Sequence, residues 1–221
     1  MGKENIYKIL RGGGLTHAGA IAMMGNMMAE SSLKSNIAQR GYTKYSDEEY
    51  TRRADEGLSN FTKDSVGYGL CQWTLGSRKA ALLAWCKNMG VSVGDETAQT
   101  LFCIHELLND FPSLWKLLTT TDDYQTACDR VCDTFERPAV NNFSVRRAFA
   151  AEFDNLKDSY SATDNNVPSK PVTEVSAVKD PVIFCLQLLM SYDGYWDAPD
   201  GLRSSAWKSK FKEWSTDILN T

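Results

Sequence analysis

Apolar residues recur every three or four positions along most of the first 160 residues, the spacing of helices that bury one face. One stretch departs from this pattern. Between Ala18 and Ala29 only Gly25 and Asn26 interrupt a run of Ala, Ile and Met, so this helix is apolar around most of its circumference and is expected at the centre of a fold. Thr16 supplies its N-cap after a loop of three glycines, and Glu30 stands at its end.

The other elements follow from caps and breakers. A short apolar segment at residues 5–10 reads as the end of a first helix. Residues 31–64 turn polar, and within them Ser46 and Glu49 form a capping box for a helix that Gly57 closes. Ser77 is expected to cap a helix through Met89, and Asp95 the next one, on which Ala98, Leu101, Phe102, His105 and Leu108 share a face. Pro112 opens a short helix to Leu118, Asp122 or Asp123 caps one through Phe135, and Ser144 caps one to about Asp158. Strands have room only in the polar stretch and at Gly67 and Gly69, which bracket Tyr68 in a tight turn or hairpin. The expected fold class is mainly α.

Residues 161–180 lose the helical period and carry Ser, Thr, Asn, Pro168 and Pro171, the composition of a linker. Residues 181–221 resume it as a small helical unit with a turn at Asp193-Gly194. The expected organisation is a domain at 1–160, a linker at 161–180 and a C-terminal unit at 181–221.

A carboxylate at the end of an apolar helix is costly, because partial desolvation and the negative end of the helix dipole both disfavour the charged form. An acid that keeps its proton near neutral pH is what general acid catalysis needs. Alternatively, Glu30 points into water as helix-terminal glutamates often do. A second stretch, residues 65–73, follows its glycine turn with Gln72 and Trp73. An amide beside aromatic faces suits a sugar ring and its N-acetyl group, although a glycine turn with a core Trp has the same appearance.

Together the two stretches are more specific. Ala29-Glu30-Ser31 resembles the Glu-Ser motif of lytic transglycosylases and goose-type lysozymes, and Gly69-Leu70-Cys71-Gln72 resembles their Gly-Leu-Met-Gln strand, with Cys in place of Met. The order of pieces is similar to the phage tail lysozyme family. Those pieces are Gly25-Asn26 leading to Ala29-Glu30-Ser31, residues 67–73, residues 77–83, the helix ending His105-Glu106-Leu107, and Phe135-Glu136-Arg137-Pro138-Ala139 with the later Arg146. The resemblance implies a lysozyme-like helical domain with a small hairpin, and a phage or prophage lysin that cuts the β-1,4 bond between N-acetylmuramic acid and N-acetylglucosamine in peptidoglycan. It makes Glu30 the general acid, Ser31 its positioning neighbour, and Tyr68, Gln72 and Trp73 the sugar-binding residues. No cofactor and no metal are implied. An inverting hydrolase would want a second carboxylate, for which Asp64, Glu56 and Asp55 are candidates, whereas a transglycosylase manages with one. Glu136 has no role derivable from its position. In the C-terminal unit, Leu186-Gln187 and Asp193-Gly194 resemble part of the signature of small peptidoglycan-binding modules, with Asp197 where that signature has glycine.

Composition removes several function classes. A net charge of -4 and a pI near 5.3 argue against a nucleic-acid partner. No apolar run is long enough to span a membrane, and residues 1–5 lack a signal-peptide core, so residence in the host cytoplasm until release, or in a virion tail, is expected. The six cysteines lie within apolar helical patterns and read as buried thiols, while two histidines without a nearby cluster argue against zinc. Two rivals to the glycosidase are a wall peptidase or amidase using Cys71 and His105, and a non-catalytic tail component that has kept the fold.

Overall fold

The computed structural model describes residues 2–159, so the expected linker and C-terminal unit lie outside the described residues. The chain forms α1 (Lys3–Gly12), α2 (His17–Ser31), α3 (Asp47–Asp55), α4 (Gly76–Met89), α5 (Glu96–Asn109), α6 (Pro112–Thr120), α7 (Tyr124–Val131) and α8 (Phe143–Ala151). A π-helical turn, Cys132–Glu136, continues α7, and a 3₁₀ turn, Asp154–Ser159, follows α8. Among the described residues there is no strand. The expected hairpin is a tight turn closed by an isolated bridge between Tyr68 and Trp73, with a second bridge from Tyr68 to Ala38.

Helix α2 is the hub. Its Thr16 cap accepts the Gly19 amide at 2.9 Å, and all ten residues from Ala18 to Met27 are buried. It packs against α8, α7, α1 and α6. Two glycines permit that closeness, although each costs about 1 kcal/mol relative to alanine within a helix. A Cβ on Gly19 would lie 2.1 Å from the Leu118 carbonyl oxygen at the end of α6, and one on Gly25 would lie 2.6 Å from the Arg146 carbonyl oxygen of α8. Gly25→Ala must therefore push α8 outward, and it is expected to destabilise the fold by about 1–3 kcal/mol, the usual cost of overpacking. Thermal unfolding of the purified variant checks this.

Caps formed by local chemistry lie where the sequence puts them. Ser46 accepts the Glu49 amide at 3.2 Å, Asp95 the Ala98 amide at 2.7 Å, and Asp123 the Gln125 and Thr126 amides at 3.0 and 3.2 Å. Two starts differ. Helix α4 begins at Gly76, capped by Leu75 rather than Ser77, because the chain must pass against the Thr62 carbonyl, which a Cβ on Gly76 would approach to 2.4 Å. Helix α8 begins after Asn142 rather than Ser144, its first turn closed by the Arg146 amide on the Asn142 carbonyl at 3.1 Å. It also ends at Ala151, short of Asp158, and the 3₁₀ turn takes over.

That turn is fastened to the start of α2. His17 reaches Asp154 through Nε2 at 3.0 Å and the Tyr7 hydroxyl through Nδ1 at 2.8 Å, while Phe153 and Leu156 are buried beside them in sequence. No helix among the described residues is long and apolar enough to cross a membrane.

Candidate active site

Glu30 occupies the last turn of α2, and the helix is stopped by two consecutive non-glycine residues with left-handed backbone, Ser32 (φ 55°) and Leu33 (φ 59°). Such positions are strained, and they concentrate at functional sites. Its carboxylate is partly exposed, at 18%, and receives a hydrogen bond from Arg146 Nη2 at 2.6 Å. The acid at the helix end is thus ion-paired. Arg146 is itself buried, and its Nη1 donates to Asn26 Oδ1 at 3.0 Å. Asn26 is held in turn by donating Nδ2 to the Ala22 and Cys128 carbonyls at 2.9 and 3.0 Å. The single polar side chain within the apolar run of α2 therefore orients the cation that grips Glu30.

Ser31 joins this helix end to the glycine turn. Its hydroxyl lies 3.0 Å from the Met27 carbonyl oxygen and 2.9 Å from that of Leu70. The turn is built to receive it. Gly69 has φ 75°, and a Cβ there would sit 2.4 Å from Gln99 Oε1. Gln99, fully buried, accepts the Leu70 amide at 2.9 Å and donates to the Ser35 and Val93 carbonyls at 2.6 and 2.7 Å. Gln72 also has a left-handed backbone (φ 44°) and donates Nε2 to the Gly69 carbonyl at 3.1 Å.

Tyr68 and Trp73, the rings expected to bind sugar, are both 0% exposed and packed within the fold. Tyr68 packs between Tyr50 and Phe61 and shares a 2.6 Å hydrogen bond with Thr51. Trp73 packs on Phe102 and donates its indole N–H to Glu106 Oε2 at 2.8 Å. Of the three substrate-side candidates in the turn, Gln72 alone keeps a partly accessible side chain.

Glu106, also buried, anchors a second cation. Arg78 donates to its two oxygens at 2.7 and 2.8 Å and lies over the Phe135 ring, 4.6 Å from its centroid. The same guanidinium reaches the Phe135 carbonyl at 3.3 Å, at the end of the π-helical turn. Next in the chain is Glu136, whose Oε1 is closed off from water and has no hydrogen-bond partner. Burial pushes the Glu136 carboxyl well above the usual carboxylate range, with the charge of Glu30 adding to the effect and Arg78 and Arg146 opposing it.

The other sequence candidates are engaged elsewhere. Asp64 accepts from the buried Lys79 ammonium at 2.5 Å, the Tyr50 hydroxyl at 3.0 Å and the Val66 amide at 3.1 Å. Asp55 accepts from Ser92 and the Val93 amide at 2.6 and 2.8 Å, and Glu56 pairs with Arg52 one helical turn away. Asp64 lines a 520 Å³ cleft with Tyr42, Tyr45, Arg53 and Leu58, on the polar lobe. None of the three contacts Glu30 or Arg146 through a hydrogen bond or ion pair among the described residues.

The surroundings of Cys71 and His105 lend the peptidase alternative no support. Cys71 is buried against Cys103, and burial holds its thiol well above the ordinary range, whereas a nucleophile needs the thiolate. His105 stacks on Trp85 and Phe102, at centroid distances of 4.9 and 6.0 Å. Among the described residues the cysteines at 71, 86, 103, 128 and 132 are free and buried, and no cluster of three metal-ligating side chains occurs.

The helix-terminal Glu-Ser is thus held against a Gly-Leu-x-Gln turn. The profile of the phage tail lysozyme family matches residues 2–156. The chain belongs to that family. No curated protein matches it. Membership of the phage tail lysozymes supports a lysozyme-like, lytic role on the bacterial cell wall and accounts for the helical fold. The match ends within the 3₁₀ turn Asp154–Ser159, so the family region and the described fold nearly coincide.

Proposed function

We propose that this phage tail lysozyme cleaves the β-1,4 bond between N-acetylmuramic acid and N-acetylglucosamine, with Glu30 as the general acid. The observation that supports this best is the setting of Glu30. It is a partly exposed carboxyl fixed by a buried arginine at a strained helix end, beside the turn that carries Gln72. Glu30 would deliver a proton to the glycosidic oxygen as the C–O bond breaks and positive charge grows on the sugar ring. Gln72 is the group proposed to bind the N-acetyl amide, and Ser31 the strut that keeps helix end and turn in register. Peptidoglycan is the proposed partner, met after release from the host cell or from a virion tail.

Asp64, Asp55 and Glu56 spend their oxygens on lobe contacts, which favours the one-acid route, in which the muramyl 6-hydroxyl closes on the anomeric carbon. Mass spectrometry of digested walls tests the bond and the route together. The expected products are disaccharide units ending in an anhydro sugar. Reducing-end muramic acid would mean hydrolysis, and products cut only in the peptide stems would overturn the proposed activity.

A further inference from the structure

The cleft on the polar lobe has no part in the reaction proposed above, and its 520 Å³ is the size of a small-ligand site. Its walls come from the chain before α3 (Tyr42, Tyr45), from α3 itself (Arg53) and from the chain after it (Leu58, Asn60, Asp64). Tyr42 and Leu58 are 63% and 54% exposed, so the cleft offers an aromatic face and a branched aliphatic chain to whatever enters. The far wall is fixed by its own bonds. Lys79, Tyr50 and the Val66 amide hold Asp64, and the Asn60 carbonyl accepts the Lys63 and Asp64 amides at 2.7 and 2.8 Å while the Asn60 side chain stays exposed.

Two of the lining residues are charged, and only one has its charge answered. Asp64 faces the fully buried Lys79 ammonium at 2.5 Å. Arg53 has no comparable partner. The acid within its reach, Glu49, receives Arg52 on both oxygens at 2.9 Å, and Arg53 Nη1 stands 3.7 Å away, beyond hydrogen-bond distance. Arg53 Nε is shut off from water without a partner, so only Nη2 is engaged, donating to the Leu58 carbonyl at 2.6 Å. That bond and the Tyr45 ring, whose centroid lies 4.6 Å from the guanidinium carbon, fix the direction of the group. A cation held in one orientation with unspent donors suits a carboxylate, which two guanidinium N–H groups can meet side by side.

The cleft also lies close to the turn that carries Gln72. Val66 lines it, and the next residue is Gly67, where a Cβ would meet Gln72 Oε1 at 2.9 Å. We propose that this cleft binds the peptide stem of peptidoglycan, with Arg53 taking a stem carboxylate, Asn60 a stem amide, and Tyr42 and Leu58 the alanine methyl groups. The inference deepens the proposed function and rests on peptidoglycan being the substrate. In an intact wall the stems supply the carboxylates, and the sugar backbone between them is uncharged. A stem seated on Arg53 touches no reacting atom, so its contribution falls on substrate binding and appears in KM.

Walls stripped of their stems by an amidase supply the comparison. The parent's kcat/KM should be about tenfold lower on stripped walls than on intact ones, the worth of one charge-assisted contact, with the change carried by KM. Arg53→Met keeps an aliphatic arm against Tyr45 and removes the charge, so it should shrink that ratio toward one. A merely structural Arg53 would lower both rates together, and an unchanged ratio, or a parent indifferent to stems, overturns the proposal. Should the variant not fold, nitrogen-15 NMR of the unmodified protein reads the cleft directly. Titration with the tripeptide L-alanyl-γ-D-glutamyl-L-lysine should move the Arg53 Nε–H and the Leu58 and Asn60 amide resonances, and the same peptide with its carboxylates amidated should bind about tenfold more weakly. No movement, equal affinity for both peptides, or movement with chitotetraose alone overturns it. The two layers separate in these measurements. A parent that releases no sugar fragments from either wall yet binds the tripeptide removes the proposed glycosidase and keeps the peptide site, whereas cleavage without tripeptide binding removes only the peptide site.

Discussion

Glu30→Gln will give a folded protein that releases soluble fragments from purified walls at least about a hundredfold more slowly than the parent, the usual contribution of a general acid. The amide can still accept the hydrogen bond from Arg146, so the expected loss of stability, about 1–3 kcal/mol, stays below that of deleting the guanidinium. Separation of the two effects is what makes the result informative. A variant that melts near the parent and lyses near the parental rate would exclude Glu30 from the chemistry. One that fails to fold would instead assign the residue to the core, against its 18% exposure.

Arg146→Met carries the larger stability effect. Removing the guanidinium leaves the Glu30 carboxylate without its partner and the buried Asn26 Oδ1 without its donor. Breaking a buried pair by deleting one member typically costs about 3–5 kcal/mol, because the remaining charge loses its partner where water reaches it only in part. At about 2–4 °C of Tm per kcal/mol for a chain of this size, a fall of roughly 6–20 °C is expected. Residual lysis should also drop, since the acid loses the contact that fixes its rotamer. The pair with Glu30→Gln gives the diagnostic measurement. The double variant should be more stable than Arg146→Met alone, since the abandoned charge is then absent, and simple additivity would show that the two residues do not interact.

The features legible in the sequence are those set by a few neighbouring residues. Thr16, Ser46, Asp95 and Asp123 cap helices because their side chains need only amides two or three positions ahead. The apolar run of α2 made its central place legible in the same way. Contacts across the fold were not. Arg146 is 116 residues from Glu30, and nothing in its own surroundings announces a partner; only its place after the Phe135-Glu136-Arg137 piece hinted at a role. Tyr68 and Trp73 read equally well as sugar platforms or as core. That choice is made by Thr51, Phe61, Phe102 and Glu106, which the turn meets only after folding. Glu136 was hidden for another reason. A π-helical turn shifts the side chains beyond it out of the helical period, so a pattern read every three or four residues points Glu136 the wrong way.

Helix α2 also fixes where additions to this enzyme can be made. His17 and Glu30 stand at its two ends, about 20 Å apart at 1.5 Å per residue. The clamp on Asp154 belongs to the His17 end, at the pole opposite Glu30. Cargo inserted directly after residue 159, such as a fluorescent reporter or a second lytic unit, would start its tether on the His17 side of α2, a helix length away from Glu30. The same clamp bears on shortening the chain: a cut placed before Asp154 would remove one of the two hydrogen bonds on the ring of His17, at the beginning of the helix whose far end carries Glu30.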